Sequence, residues 1–236
     1  MRTPVRRCAL FALAGALLAF SASSQAASTL AYVVTHGGTD NICLFDVASG
    51  ETRLVTRFIE PATIESLSVT ADGQTIWFTR RRPADPDTCS IWKVRSDGSG
   101  LIETTASATA VDYRHVAVSP NGLLLAFAAR TTTIPGSQTQ LYLMNADGSS
   151  VRQLTDFPAQ AETTTVSFPL FKDNTTIIFR THLNSADDYW SIRTDGTLLT
   201  QLTDNWNNPS VAPYFPRLGR PALHSTGTTL IFGKQE

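Results

Sequence analysis

Four glycines recur at almost constant spacing. Gly50, Gly98, Gly148 and Gly196 stand 48, 50 and 48 residues apart, preceded by Ser49, Asp97, Asp147 and Asp195. Asp-Gly between short apolar runs is a hairpin signal, because glycine takes positive φ without a Cβ clash and aspartate tolerates the turn. A second register lies between these turns: Ala71-Asp72-Gly73, Pro120-Asn121-Gly122, Lys172-Asp173-Asn174 and Ser225-Thr226-Gly227. Asn174 stands in for glycine as the residue next best suited to a left-handed conformation. An apolar strand follows each second turn: Ile76-Trp77-Phe78, Leu125-Ala126-Phe127, Ile177-Ile178-Phe179 and Leu230-Ile231-Phe232. Ala31 to Val34 reads as the same strand without its turn.

A period of roughly 40–50 residues with four short strands per unit selects an all-β fold of the propeller type over a sandwich or barrel. No segment beyond residue 26 shows a sustained helical period. With the strands of a unit lettered a to d outward from the axis, the chain reads b-c-d, three full units, then a-b. That makes 17 strands, where a closed four-bladed ring needs 16. The expected architecture is therefore a β-propeller of about four to five four-stranded blades with incomplete closure. Its channel should be lined by Leu67–Thr70, Val116–Ser119, Phe168–Phe171 and Ala222–Ser225. All four repeating glycines should lie in outer turns on one face.

Residues 1–26 read as a signal peptide. Arg2, Arg6 and Arg7 precede an apolar run from Cys8 to Phe20, and Ser24-Gln25-Ala26 suits cleavage near Ala26. The run is shorter than the ~20 residues of a membrane span. Residues 27–236 are then the exported domain, periplasmic or secreted, with no later stretch long and apolar enough to span a bilayer. The whole chain has 19 basic and 20 acidic residues, and loss of three arginines takes the net charge from −1 to −4. Such a balance excludes a general nucleic-acid binder, which needs a dense basic field. In an oxidising compartment Cys43 and Cys89 either pair as a disulfide or stand as two separate thiols.

The units resemble the WD40-like repeat of the TolB propeller family. The resemblance is carried by Leu141-Tyr142-Leu143-Met144-Asn145-Ala146-Asp147-Gly148-Ser149 through Arg152-Gln153-Leu154-Thr155, and by Val118-Ser119-Pro120-Asn121-Gly122. It covers nearly all of the chain after the leader, and the N-terminal domain of TolB has no counterpart in it. The resemblance implies protein–protein binding near the cell envelope, and a binder of a protein or peptide there needs no cofactor.

The a–b and c–d turns share one face, and the b–c and d–a connections share the other. The second set looks longer and more varied, so this loop face is the expected binding surface. Arg81 and Arg82, within Arg80–Asp87, could clamp carboxylates or phosphates bidentately, or could form a solvated loop balanced by Asp85 and Asp87. His36 and His182, with Asp40, Asp187 and Asp188, could hold a cation, but their spacing matches no dedicated metal motif. The stretch from Asp204 to Arg220 carries Trp206, Tyr214, Phe215, Arg217 and Arg220, the composition of an interface core, or else Trp206 and Phe215 plug the closure between blades. Catalytic signatures are missing: there is no Gly-x-Ser-x-Gly elbow, no His-Glu-x-x-His and no phosphate loop. The expected function is non-catalytic binding through the loop face. The alternatives are a small periplasmic hydrolase or lyase, or a truncated propeller domain of a larger TolB-like or peptidase-like protein.

Overall fold

The computed structural model describes residues 29–82, 85–105, 112–130, 138–158, 164–183, 186–204, 217–224 and 229–235. Among them are 17 strands and no helix. Blade 1 holds β1 (Thr29–His36), β2 (Thr39–Asp46) and β3 (Thr52–Leu54). Blade 2 holds β4 (Thr63–Val69), β5 (Thr75–Arg82), β6 (Asp85–Arg95) and β7 (Ile102–Glu103). Blade 3 holds β8 (Asp112–Val118), β9 (Leu124–Arg130), β10 (Gln140–Asn145) and β11 (Arg152–Gln153). Blade 4 holds β12 (Thr165–Phe171), β13 (Thr176–Leu183), β14 (Ala186–Arg193) and β15 (Thr200–Gln201), and blade 5 holds β16 (Arg217–Leu223) and β17 (Leu230–Gln235). Each sheet is an antiparallel meander, so the strands split three, four, four, four and two, as the glycine registers require. The fold is an incomplete β-propeller.

The turn chemistry explains the period. Gly98, Gly148 and Gly196 sit at φ near +90°, and each donates its amide to the carbonyl three residues earlier. In front of each glycine an aspartate closes the turn. Asp97 Oδ1 accepts from the Ser99 amide (2.8 Å) and hydroxyl (2.7 Å), and Asp147 and Asp195 do the same for Ser149 and Thr197. These bonds hold all three carboxyls below the usual carboxylate range. The antiparallel meander puts all the a–b and c–d turns on one face. Amides Ser96, Ala146 and Thr194 bond across to carbonyls Gln74, Leu123 and Thr175, lacing the two turns of a blade together.

The core lies between blades. Ile42, Leu44, Ile64, Leu67, Ile76 and Phe78 fill the joint of blades 1 and 2. Ile91, Tyr113, Val116, Leu125 and Phe127 fill the next. Leu141, Val166, Phe171, Ile177 and Phe179 join blades 3 and 4, and Tyr189 with Leu218 joins blades 4 and 5. A polar latch reinforces each joint. Where β2, β10 and β14 begin, Asp40, Thr139 and Asp187 accept from the amides of Ile64, Val166 and Leu218 on the next blade's inner strand, at 2.8, 2.7 and 2.8 Å. In blade 2 the equivalent residue is Cys89, which has no oxygen to offer. There the bond reverses: the Cys89 amide donates to Asp112 Oδ1 of blade 3, at 3.0 Å.

That latch explains the cysteines. Cys89 lies on the face of β6 turned to blade 3, in phase with Ile91. Cys43 is out of phase with Ile42 and Leu44, which face blade 2, so it lies on the other face of β2. The two thiols are buried against different surfaces and are not joined to one another. The pairing entertained from the sequence is not formed.

Candidate functional site

The inner strands β4, β8, β12 and β16 start on the loop face, and each carries a bulge just inside its start. Two amides of β8, Val116 and Val118, donate to Ser66 Oγ and Ser68 Oγ of β4, so these strands adjoin directly around the axis. Three residues before Val69, Val118, Phe171 and Leu223 stand Ser66, His115, Phe168 and Arg220, one per inner strand. The bulge drives His115 to φ 54° and Phe168 to φ 50°. A bulky residue in that region is uncommon and carries strain of roughly 1–3 kcal/mol, of the kind that collects at binding sites.

Of these, His115, Phe168 and Arg220 meet at the channel mouth. The His115 ring lies 4.2 Å from that of Phe168, centroid to centroid. The guanidinium groups of Arg180 and Arg220 sit 4.6 and 4.8 Å from the same Phe168 centroid. Arg220 also reaches across to donate from Nη2 to the Glu65 carbonyl on β4, at 2.5 Å. Burial pulls the Arg220 pKa down to about 10 although the side chain keeps contact with solvent; Glu65 opposes the shift and Arg180 adds to it. Burial, then Arg220, Arg114 and Arg180, push His115 well below its usual value and keep it neutral.

Arg81 pairs with Glu65 through two contacts, 2.8 and 2.6 Å. Arg80 to Arg82 are not a loop, since β5 runs to Arg82 and β6 resumes at Asp85. Strand alternation sends the Arg80 and Arg81 side chains to opposite faces, so these two do not act as one clamp. Arg80 is 6% exposed and stacks over Phe58 at 4.0 Å, while Arg81 turns to Glu65. The Arg82 side chain lies outside the described residues.

His36 ends β1 on an exposed two-glycine turn, Gly37-Gly38, which is tight rather than long. His182 Nδ1 lies 2.8 Å from Asp187 Oδ1. The same carboxylate accepts from the Leu218 amide and lies 3.4 Å from Arg180 Nη1, so its oxygens are committed to the blade joint. Asp40 is likewise engaged, by the Thr35 hydroxyl and the Ile64 amide. No group of three or more His, Cys, Asp or Glu able to hold a metal occurs among the described residues.

Trp206, Tyr214 and Phe215 lie outside the described residues. Arg217 and Arg220 belong to β16, not to a loop; the Arg217 side chain is also outside them. On the d–a connection between blades 1 and 2, Ile59 is 93% exposed beside Phe58. Exposed apolar residues are not confined to this face: Leu123 and Leu198 stand at turns on the other. His115, and its meeting with Phe168 and Arg220, was missed in the sequence, which put Phe168 in the channel lining and Arg220 in the last loop; counting back from the aligned inner-strand residues would have found it.

No protein-family model matches the chain, and no curated protein does. Solved structures do. TolB from Acinetobacter baumannii is 18% identical, with a TM-score of 0.63, over 89% of this chain and 47% of that one. A nidogen/laminin complex gives 14%, 0.61, 93% and 71%. An oligogalacturonate lyase in complex with manganese gives 14%, 0.60, 86% and 55%. The fold is thus a TolB-like β-propeller, and the chain spans about half the length of the TolB structure it matches.

Proposed function

We propose that this protein is a non-catalytic, exported propeller that binds a protein, peptide or cell-envelope component through its loop face. In this reading residues 1–26 are a signal peptide cleaved near Ala26, and residues 27–236 act in the periplasm or outside the cell. No helix among the described residues is long and apolar enough to cross a membrane. The observation that carries the reading is the channel mouth, where strained inner-strand bulges bring His115 and Phe168 together beside the guanidinium groups of Arg180 and Arg220. Aromatic and arginine side chains supply most of the strong anchors in protein interfaces. Similar folds include one described as a nidogen/laminin complex, so such a scaffold is found in a protein complex. An enzyme would need acid, base or nucleophile converging on one reacting atom. Here Asp40 and Asp187 are engaged in blade joints and His36 stands apart on its turn.

The test is capture from envelope extract by wild type, by Arg81→Ala with His36→Ala, and by Ser99→Ala with Ser149→Ala on the turn face. Circular dichroism checks that each variant is folded. Loss of one defined partner by the loop-face pair alone is the expected result. Loss by the turn-face pair alone puts binding on the wrong face. Turnover of a substrate without any stable partner replaces the binder with an enzyme.

A further inference from the structure

The carboxylates at the channel mouth are nearly all engaged. Glu65 is held by Arg81, Asp112 by Arg114 and Arg130, and Asp187 by Arg180, His182 and the Leu218 amide. Arg180 spends its donors on Ser167 Oγ, the Leu218 carbonyl and Asp187. Arg220 is different. Among the described residues its guanidinium forms no ion pair; it stacks on Phe168 and uses Nη2 on a backbone carbonyl, while the side chain stays exposed. The stack and the carbonyl fix the plane of the guanidinium, so its remaining edge is aimed before any ligand arrives. A fixed planar fork of N–H donors matches a carboxylate bidentately and loses little freedom on binding it.

We propose that Arg220 at the loop-face mouth of the channel is the anchor for one carboxylate of an acidic peptide segment, seated against the Phe168–His115 stack. The inference rests on the binding reading above and names the chemistry of the partner. A single guanidinium without a carboxylate matches a single negative charge; a phosphate dianion calls for a second. His115, neutral beside it, adds an aromatic wall without adding charge.

The test uses the isotope-labelled chain and acetyl-Gly-Glu-Gly-amide, its Gln counterpart, and a short oligogalacturonate. The Glu peptide is expected to shift the Arg220 Nε–H signal and the amides of His115 and Phe168 in a saturable way. The Gln peptide is expected to bind at least about tenfold more weakly, as loss of a charge-assisted anchor implies. Arg220→Gln should remove the difference between the two peptides, and Arg220→Lys should restore only part of it. The comparison of Glu with Gln in wild type needs no variant, so misfolding of a variant cannot rescue the proposal. Equal binding of both peptides, or of neither, overturns it. Oligogalacturonate binding at this signal without the peptide overturns the peptide assignment. If the envelope partner is lost with Arg81→Ala and His36→Ala but is indifferent to Arg220→Gln, the loop-face reading stands and this inference falls.

Discussion

Replacing Asp112 by Ala should cost far more than an average substitution. The carboxylate is fully buried and holds three groups: the Cys89 amide at 3.0 Å, Arg114 Nε at 2.7 Å and Arg130 Nη2 at 2.9 Å. Arg114 is one-third exposed and can turn to solvent, so its share is at most about 1 kcal/mol. The Arg130 side chain is only 6% exposed and cannot. Removing one member of a buried pair costs about 3–5 kcal/mol, because the remaining charge stays desolvated. For a chain of this size each kcal/mol moves the melting temperature by about 2–4 °C, so the expected drop is roughly 6–20 °C. Thermal unfolding followed by tryptophan fluorescence and near-UV circular dichroism measures it. Asp112→Asn keeps an acceptor for the Cys89 amide and should fall between wild type and Asp112→Ala. Adding Arg130→Met to Asp112→Ala should recover part of the loss. A melting point for Asp112→Ala within about 2 °C of wild type would refute the argument that this latch holds blades 2 and 3.

Gly98→Ala should destabilise more than Gly50→Ala. A Cβ at Gly98 meets the Val55 carbonyl oxygen of blade 1 at 2.9 Å, whereas one at Gly50 meets nothing within 4 Å; urea unfolding of Gly50→Ala should show about the 1–2 kcal/mol of a left-handed backbone alone, and Gly98→Ala more. Asp147→Ala should lower stability at pH 7, and the difference should vanish in acid. The folded carboxyl lies below its unfolded value, so its contribution is complete above about pH 4 and is lost as the pH falls through the lowered folded value; melts from pH 7 to 2 check the window. Burial raises the pKa of the Cys89 thiol, with Glu65 and Asp112 adding to the shift and Arg81 and Arg114 opposing it, so Cys89 should resist iodoacetamide at pH 8 until the chain is denatured. The intact mass should not change on reduction, and a gain of two hydrogens would restore the Cys43–Cys89 bond.

The strand count and blade boundaries were legible because turns have strict local chemistry. Gly98, Gly148 and Gly196 need positive φ, and the aspartates before them need a hydroxyl or amide two residues on; few other residues meet both demands. The starts of the inner strands were not legible. Apolar pattern gave Leu67 and Val116 as first residues, but β4 begins at Thr63 and β8 at Asp112. Glu65, Arg114 and His115 break the apolar pattern because they meet Arg81, Asp112 and Phe168, and Ser66 because its hydroxyl bonds Thr79 and the Val116 amide of the next blade. Arg80 misled for a related reason: its charge suggests a loop, yet its guanidinium is stacked on Phe58 and buried. The column at the channel mouth stayed hidden because Ser66, His115, Phe168 and Arg220 share a position and no chemistry.

The direction of the latches has a consequence for modular engineering. Blades 1, 3 and 4 carry their own acceptor, in Asp40, Thr139 and Asp187, and offer it to whichever inner strand comes next. Blades 2, 4 and 5 supply the backbone amide, so ahead of any of them these three blades are portable: copied or moved, they bring their half of the joint with them. Blade 2 carries only the Cys89 amide and depends on Asp112 of its successor. A duplicated blade 2 would leave the first copy facing Ile64 of the second, with no carboxylate between them, and the array would part at that seam unless Cys89 were exchanged for aspartate.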